Sequence, residues 1–238
     1  MRYAVFADIH GNLEALETAL EYARKHHLLK FIVLGDSIGY GANSNECLEW
    51  ALQNAGLHAL GNHEAAVIHA RIRVKFTASA REAIEWTAER LRPELFARIK
   101  GLSCLQIDGS MTLAHGTIHS PEEFHYLFDE SDAYKSFLAL RTHFGFVGHS
   151  HVPCFFAEKE ETGGYLTEGV LKLRKNERYL LNPGSIGQPR DQDSRLSFGI
   201  FNESELTFEI VRLPYDNKKA SEKILAEGLP ASLAYRLL

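Results

Sequence analysis

The feature that most constrains this chain is a short apolar run that leads directly into a polar residue. Residues 31–36 read FIVLGD, and the same pattern recurs at 3–8, 57–62 and 144–149, each time ending in Asp, Asn or His. A short continuous apolar run closed by a turn residue predicts a strand buried on both faces, as in an α/β sheet. Such strands present their functional groups at the carboxyl end.

Two of these strand ends carry carboxylates, Asp8 and Asp36. If the strands pack side by side, the two carboxylates share one buried place, which is unfavourable without a compensating cation. His10 lies two residues beyond Asp8, so at a strand end the two side chains are expected to project from the same side. The pattern therefore predicts a metal site.

The length and composition favour one ordinary globular domain. The chain has 238 residues and a net charge of −5, and we predict a single domain over residues 1–238 because no linker, repeat or low-complexity tract interrupts it. The acidic balance makes a nucleic-acid partner unlikely as the main purpose. The three cysteines form no CxxC motif, and neither a leader nor an apolar run of membrane length is present, which favours a cytoplasmic location.

Residues 64–101 change to a helical pattern and are predicted to be an insertion in the sheet topology. Ser79 with Glu82 resembles a capping box, and Pro93 suits the first residue of a further short helix. The block has eight Lys/Arg against five Glu, a net charge of +3. It is either a solvated helical face or a basic surface at the mouth of the site. A shorter helical excursion is expected at about 121–141.

The remaining elements follow from turn and periodicity signals. Asn12 is a plausible N-cap for a helix over about 13–27, and Asn43 with Glu46 resembles a capping box for a helix ending near Gly56. Asp108-Gly109 predicts a hairpin between 105–107 and 111–114. Further strands are predicted at 154–159, 165–171, 178–182, 196–202 and 205–212. The tail at 216–237 is predicted to form two short helices broken at 228–230.

Seven potential metal ligands follow the apolar strands. They are Asp8, His10, Asp36, Asn62, His115, His149 and His151. A mixture of carboxylate, amide and imidazole ligands suits Mn, Fe, Zn, Ni or Co rather than Ca or Mg alone. Because seven ligands exceed one tetrahedral site, they favour two ions that share a bridging carboxylate.

These residues occur in blocks that resemble the signature of the calcineurin-like metallophosphoesterase family. The blocks, in order, are Asp8-Ile9-His10, Gly35-Asp36, Gly61-Asn62-His63-Glu64, His115 and Gly148-His149-Ser150-His151, and the resemblance spans roughly residues 1–190. It implies an α/β fold, a four-layer α/β/β/α sandwich of two mixed β-sheets flanked by helices. It also implies a hydrolase that cleaves phosphoester bonds.

The resemblance further implies a role for each site residue. It assigns Asp8, His10 and His151 to one divalent ion, Asn62, His115 and His149 to the other, and Asp36 to both, with manganese the favoured metal. A hydroxide between the two ions would attack phosphorus. His63 would protonate the leaving oxygen or stabilise the transition state, although a packing role is the alternative.

The sequence departs from two well-known branches of the family. Protein phosphatases and dinucleoside tetraphosphatases follow their Gly-Asp block with Asp-Arg-Gly, whereas this chain has Gly39-Tyr40-Gly41. The missing arginine disfavours both of those substrate assignments, and the Gly-Tyr-Gly loop resembles a bacterial branch of general phosphoesterases. Arg190 is a candidate for the phosphate contact, because a guanidinium matches phosphate oxygens; alternatively it pairs with Asp191 or Asp193. Tyr40 is predicted to serve the structure of the loop.

Two other functions compete with the hydrolase hypothesis. The retromer scaffold subunit has this fold without the complete catalytic set and works through protein contacts, whereas every ligand position is filled here. A metal-dependent nuclease would need a basic, aromatic-lined groove, for which only the 64–100 block is a candidate. We expect a small phosphoester substrate and no membrane partner. Of the remaining histidines, only His119, just after His115, is a possible further site residue.

Overall fold

The computed structural model describes residues 1–238 and contains twelve strands in two six-stranded sheets. The strands are β1 (Arg2–Phe6), β2 (Phe31–Val33), β3 (Ala55–His58), β4 (Leu105–Asp108), β5 (Met111–Ala114), β6 (Phe144–Phe146), β7 (Pro153–Ala157), β8 (Thr162–Tyr165), β9 (Gly169–Lys172), β10 (Tyr179–Pro183), β11 (Leu196–Asn202) and β12 (Thr207–Leu213). The first sheet has the order β3-β2-β1-β11-β12-β9, and the second has the order β4-β5-β6-β10-β7-β8.

Both sheets are mixed, and the parallel strands lie together in each. In the first sheet β1, β2 and β3 are parallel, while β11, β12 and β9 continue it in antiparallel pairs. In the second sheet β5, β6 and β10 are parallel, flanked by antiparallel β4 on one side and β7 and β8 on the other. The carboxyl ends of the parallel strands therefore define one edge of each sheet.

Eight α-helices cover the sheets and the site. They are α1 (Leu13–Lys25), α2 (Ser44–Asn54), α3 (Asn62–Ile68), α4 (Ala78–Arg90), α5 (Pro93–Ile99), α6 (Glu130–Ala139), α7 (Asn217–Ala226) and α8 (Ala231–Tyr235). Two 3₁₀ segments, Ala70–Lys75 and Pro121–Glu123, lie in the two predicted helical excursions. No helix has both the length and the apolar character required to span a membrane.

The core lies between the two sheets and on both of their outer faces. Val5 and Ile32 of the first sheet pack with Leu113 and Phe146 of the second in one buried apolar cluster. Phe6, next to Val5 in β1, belongs instead to the cluster formed with α1 and α2. Successive strand residues point to opposite faces, so strands buried on both faces are apolar throughout.

A third buried cluster completes the layers. Leu180 of β10 packs with Ala133 and Phe137 of α6, and Val147, which directly follows β6, belongs to the same cluster. The order of layers is thus α1 and α2, the first sheet, the second sheet, and α6. The fold predicted from the sequence, a sandwich of two mixed sheets flanked by helices, is confirmed.

The structure corrects several boundaries. The predicted strand over 165–171 is two strands, β8 and β9, that belong to different sheets. The third strand ends at His58 rather than at residue 60. Beyond it, the Ala59 amide donates to the Val33 carbonyl, and the Leu60 amide donates to the Ser103 carbonyl. The N-cap of α4 is Thr77, whose hydroxyl accepts from the Ala80 amide, not Ser79.

Other local predictions are confirmed. The predicted hairpin of β4 and β5 forms, with Gly109 and Ser110 as its two turn residues because Asp108 pairs with Met111 at the end of β4. Pro93 is the first residue of α5. The tail forms α7 and α8, separated at 227–230. Asn12 caps α1 through the Ala15 amide, whereas Asn43 precedes α2 without a side-chain cap bond; its side-chain oxygen accepts from Lys223 instead.

Candidate metal centre and its cleft

Loops at the carboxyl ends of five strands bring the predicted ligands together. Asp8 and His10 follow β1, Asp36 follows β2, Asn62 begins α3 after β3, His115 follows β5, and His149 and His151 follow β6. The strands that carry Asp8 and Asp36, β1 and β2, lie side by side with β3 in one sheet, as expected, whereas β5 and β6 are neighbours in the other sheet. The site forms where the carboxyl edges of the two sheets meet.

One group of ligand atoms comes from Asp8, His10 and His151, and these atoms all lie within 4.8 Å of one another. The Nε2 atoms of His10 and His151 are 3.1 Å apart. Asp8 Oδ1 lies 3.4 Å from His151 Nε2 and 3.9 Å from His10 Nε2. Two imidazoles and a carboxylate at this spacing can share one divalent ion.

A second group surrounds Nε2 of His115. Asn62 Oδ1 is 3.0 Å from this nitrogen, His149 Nδ1 is 3.1 Å from it, and Asp36 Oδ2 is 3.2 Å from it. Asp36 Oδ2 also lies 3.7 Å from His10 Nε2 in the first group. The same carboxylate oxygen therefore faces both groups, which is the position that a bridging ligand requires.

Backbone carbonyls fix the orientation of three ligand imidazoles. Nδ1 of His10 lies 3.0 Å from the Ile38 carbonyl oxygen. Nδ1 of His115 lies 2.7 Å from the Leu34 carbonyl oxygen, and Nδ1 of His151 lies 2.6 Å from that of Gln188. A nitrogen that faces a carbonyl oxygen carries the proton, so each neutral ring keeps a lone pair on Nε2. Carbonyl partners of this kind set the tautomer and aim the other nitrogen at a metal.

The atoms at the centre have no satisfactory partners within the protein, and this fits a bound cation. With Nδ1 protonated, the Nε2 atoms of His10 and His151 point lone pairs at each other across 3.1 Å. Asp8 Oδ1 is buried without a hydrogen-bond partner, whereas its Oδ2 accepts from the His149 amide at 3.1 Å. A divalent ion would satisfy all three atoms, so the donor set fits the metal that the sequence predicts.

Burial and mutual charge shift the acidities of the cluster. Burial holds the pKa values of His10, His149 and His151 well below the ordinary value, which keeps these rings neutral, the form that binds metals. Burial also opposes ionisation of Asp36, but His115 and His63 outweigh it and hold the pKa of this carboxyl well below its usual range.

The pKa values of the two other titratable residues of the cluster, His115 and Asp8, shift in the opposite direction. Burial would lower the pKa of His115, but Asp36 outweighs it and raises that pKa to about 9. Burial raises the pKa of Asp8 to about 7. A proton on His115 thus offsets the Asp36 carboxylate in the place where a metal ion could do the same.

The backbone at the ligands is strained. Five of the seven predicted ligands have φ values between 50° and 66°; they are Asp8, His10, Asp36, His149 and His151. Residues other than glycine adopt this left-handed region at a cost of about 1–3 kcal/mol each, and such strain concentrates at functional sites. The loops hold the ligand geometry against this cost.

Glu64 joins two of the ligand loops, a role that the sequence reading did not assign. Its carboxylate accepts hydrogen bonds from the amides of Asp36 at 2.9 Å, Ser37 at 2.7 Å and Gly61 at 3.2 Å. Burial, followed by the charge of Asp36, raises the Glu64 pKa to about 7. A β-carbon on Gly61 would lie 2.1 Å from Asp36 Oδ1, so only glycine allows this approach.

His63 lies beside the metal groups in an aromatic surround. Its ring centroid is 4.6 Å from those of His10 and Tyr40 and 5.0 Å from that of Phe76. Its amide donates to Asp36 Oδ1 at 2.9 Å, and its Nε2 is 3.8 Å from Asp36 Oδ2. Burial lowers the pKa of His63 to about 4.

Arg190 faces the site rather than its acidic neighbours. Its Nη2 lies 3.4 Å from the Tyr40 hydroxyl and 3.1 Å from Gln188 Oε1. Asp191 pairs with Arg212 and Asp193 with Arg195, so the alternative that Arg190 merely pairs with a neighbouring carboxylate is wrong. Tyr40 stacks near His10, with centroids 4.4 Å apart, and therefore connects Arg190 to the metal centre.

A cleft of about 590 Å³ opens over these residues. Asp36, Asn62, His63, His149, His151 and Arg190 line its deep end. The outer walls are formed by residues 122–126 together with Ile72, Lys75, Phe76, Thr77, Ser79, Ala80, Ser232, Leu233 and Arg236. The helical insertion thus lies at the mouth of the site, although Arg71 and Arg73 do not line the cleft. His119 is also outside it; its ring contacts Ser136 and stacks with His125.

Sequence reasoning missed two residues of the outer walls, Tyr126 and Arg236. Tyr126 stacks on the His149 ring with centroids 4.0 Å apart, and Arg236 also lines the cleft. Tyr126 lies in an irregular segment and Arg236 directly follows the short terminal helix α8, so neither follows a strand. No periodicity or turn signal marks them.

Comparisons with known proteins agree on one family. The profile of the calcineurin-like phosphoesterase superfamily domain matches residues 1–205. A metallophosphoesterase from Sphaerobacter thermophilus has a similar structure, with 34% identity and a TM-score of 0.90, over 100% of this chain and 98% of that one.

Two archaeal proteins are also similar. An uncharacterized protein from Methanocaldococcus jannaschii is 39% identical over 98% of this chain and 96% of its own length. A hypothetical protein from Pyrococcus horikoshii OT3 has a TM-score of 0.80 at 17% identity, over 99% of this chain and 97% of that one. At that identity the second likeness concerns the fold alone.

Proposed function

The chain belongs to the calcineurin-like phosphoesterase superfamily, and we propose from this membership that it is a hydrolase that cleaves phosphoester bonds with two divalent metal ions. The observation that carries the proposal is the position of Asp36 Oδ2. This oxygen lies 3.2 Å from His115 Nε2 in one group of ligand atoms and 3.7 Å from His10 Nε2 in the other. A carboxylate shared in this way is the arrangement of two-metal hydrolytic sites.

We assign Asp8, His10 and His151 to one ion and Asn62, His115 and His149 to the other, with Asp36 between them. Manganese is the metal we favour, because carboxylate, amide and imidazole ligands together suit it. When bound, the two ions would make a water acidic enough to act near neutral pH and would neutralise the phosphoryl charge. Glu64 holds the loops of Asp36 and Asn62 in register for this purpose.

His63 is the proposed proton donor to the leaving oxygen. Burial lowers its pKa to about 4, so the ring is neutral near pH 7 in the free protein, and donation requires that the negative charge of the bound phosphoester raise this pKa. His63 lines the cleft and follows Asn62 in the chain. The ligand atoms of His63, His10 and Asp36 also lie within 4.8 Å of one another, but our assignment, which follows the family pattern, gives His63 no metal. His10, Tyr40 and Phe76 surround the ring and restrict its rotation. A general acid needs this restricted placement within reach of the departing oxygen.

Arg190 is the proposed contact to the phosphoryl oxygens and takes the place of the arginine that other branches carry after their Gly-Asp block. Tyr40 holds it through the hydroxyl contact at 3.4 Å, with the guanidinium 5.9 Å from the ring centroid. A guanidinium binds two phosphate oxygens at once, so this placement suits a phosphoester in the deep end of the cleft.

Replacing Arg190 by Ala should lower kcat/KM for a simple phosphoester by about 10- to 100-fold, mainly through KM, because a charge-assisted contact to the substrate is lost. Metal content should stay the same, since Arg190 is not a proposed ligand. Arg195→Ala is the matched control, because Arg195 pairs with Asp193 and Glu168 outside the cleft. Unchanged kinetics in Arg190→Ala would refute the phosphate contact.

A substrate panel tests the proposed function itself. The manganese-loaded protein is offered phosphomonoesters, phosphodiesters, cyclic nucleotides and dinucleotides, with a chelator-treated sample as the control. We expect hydrolysis of at least one class and its loss after chelation. If the metal-loaded protein hydrolyses none of them, the proposed hydrolase function is wrong. That result would favour the competing function, a metal-binding scaffold that works through protein contacts.

A further inference from the structure

The cleft extends well beyond the metal groups. Its volume of about 590 Å³ lies in the range, about 300–1,000 Å³, that holds drug-sized ligands. A phosphoryl group at Asp36 and Arg190 would occupy only the deep end. The outer walls are therefore available to the part of the substrate that does not react.

Charged groups of the outer walls differ in whether they have partners. Lys75 Nζ pairs with Glu123 Oε2 at 2.7 Å, and Glu122 lies next to that pair. Arg236 directly follows α8 and lies on the wall that this terminal segment forms. Its guanidinium has no carboxylate oxygen within 4.0 Å and no hydrogen bond in the structure. Its guanidinium is thus a cation whose donors are free to bind a ligand.

The backbone that carries Arg236 is fixed. Ala234 and Leu237 on either side of it are buried in the cluster that α7 and α8 form with Ala83. The side-chain amide of Asn217 donates to the Leu237 carbonyl at 2.8 Å, and the hydroxyls of Ser232 and Ser79 are 3.1 Å apart. Only the long side chain of Arg236 retains freedom, which suits a contact that positions a substrate.

This wall also lies outside the part of the chain that carries the family signature. The family profile ends at residue 205, whereas α8 begins at Ala231. Residues common to the superfamily therefore supply the chemistry, and the terminal helix adds a wall of its own. Such an addition affects which substrate is preferred rather than how the ester is cleaved.

We propose that Arg236 binds a second anionic group, a carboxylate or a phosphate, at the far end of the substrate. This inference rests on the proposed phosphoester hydrolysis and names its substrate class: phosphoesters whose non-reacting part bears another negative charge. Arginine suits both anions, because its planar donors match two oxygens at once.

Matched substrates test the assignment on the full-length manganese-loaded protein. Alkyl phosphates of increasing chain length are compared with the corresponding alkane-α,ω-diol bisphosphates and ω-carboxyalkyl phosphates, and kcat/KM is measured from inorganic phosphate release. Arg236→Gln should lower kcat/KM about tenfold or more for a charged-tail substrate of the right length. The uncharged alkyl phosphate should change less than about twofold. The two charged series distinguish a distal phosphate from a distal carboxylate.

Two further variants serve as controls. Arg236→Lys should recover part of the preference because it keeps the charge, and Arg141→Gln should behave as the wild type because Arg141 does not line the cleft. An equal effect of Arg236→Gln on charged and uncharged tails would overturn the inference while leaving phosphoester hydrolysis intact. An absence of hydrolysis of every substrate by the wild type would overturn the proposed function, and this inference with it.

Discussion

Asp36→Asn should lower the occupancy of both metal positions at once. Asp36 Oδ2 faces His115 of one ligand group and His10 of the other, so loss of its charge weakens both. The amide retains an oxygen for the His63 backbone, which now bonds to Oδ1 at 2.9 Å, so the loop can keep its shape. Elemental analysis after exhaustive dialysis should find close to two ions in the wild type and fewer than one in the variant.

Asp8→Asn provides the comparison. Asp8 Oδ1 lies 3.4 Å from His151 Nε2 in its assigned group and 3.9 Å from His115 Nε2 of the other group, whereas Asp36 Oδ2 lies 3.2 Å from His115 Nε2. Asp8→Asn should therefore reduce the metal occupancy of the group with His10 and His151 more than that of the group with His115 and His149. If Asp36→Asn retained one full site, Asp36 would be a ligand of a single ion and the bridging assignment would be wrong. Metal should also raise the unfolding temperature of the wild type more than that of Asp36→Asn, because the ligands converge only in the folded state.

His63→Ala should slow hydrolysis of alkyl esters by about 10²–10⁴-fold, the range typical of a lost general acid. An alkoxide needs a proton as it leaves, whereas p-nitrophenolate is stable as an anion, so p-nitrophenyl esters should be affected much less. Rates of single turnover for the two ester classes, measured at equal metal content, give the comparison.

His63→Gln distinguishes proton donation from mere hydrogen bonding. The amide should leave both metals bound but should not restore the alkyl-ester rate. His119→Ala is the control, because that ring lies outside the cleft. A uniform loss across leaving groups would show that His63 binds the phosphoryl group or supports Asn62, and a loss of metal would make it structural.

The cluster of candidate ligands was predictable because its members follow apolar strands within a few residues. In strands β1, β2, β5 and β6 local sequence decides both the strand and the residue that follows it, so Asp8, Asp36, His115 and His149 could be identified without knowledge of the fold. The resemblance to a family then grouped the ligands and identified the sandwich. Its prediction of two mixed sheets is confirmed.

Features that depend on distant parts of the chain could not be predicted. The apolar pattern at 165–171 gives no sign that the chain crosses from one sheet to the other between β8 and β9. Asp191 pairs with Arg212 of β12, 21 residues away, a partner that only the tertiary packing selects. The cleft walls at Tyr126 and Arg236 come from segments far apart in sequence, and nothing local marks them.

Stepwise return of manganese to the chelated wild-type protein tests the central claim most directly. Hydrolysis of p-nitrophenyl phosphate or bis-p-nitrophenyl phosphate is followed as metal is added, with the bound metal counted at each step. Phosphoester hydrolysis by a shared two-metal centre predicts no activity without metal and a rate that reaches its plateau at two bound ions per chain. Full binding of two ions with no hydrolysis of either ester, or full activity without metal, would contradict it.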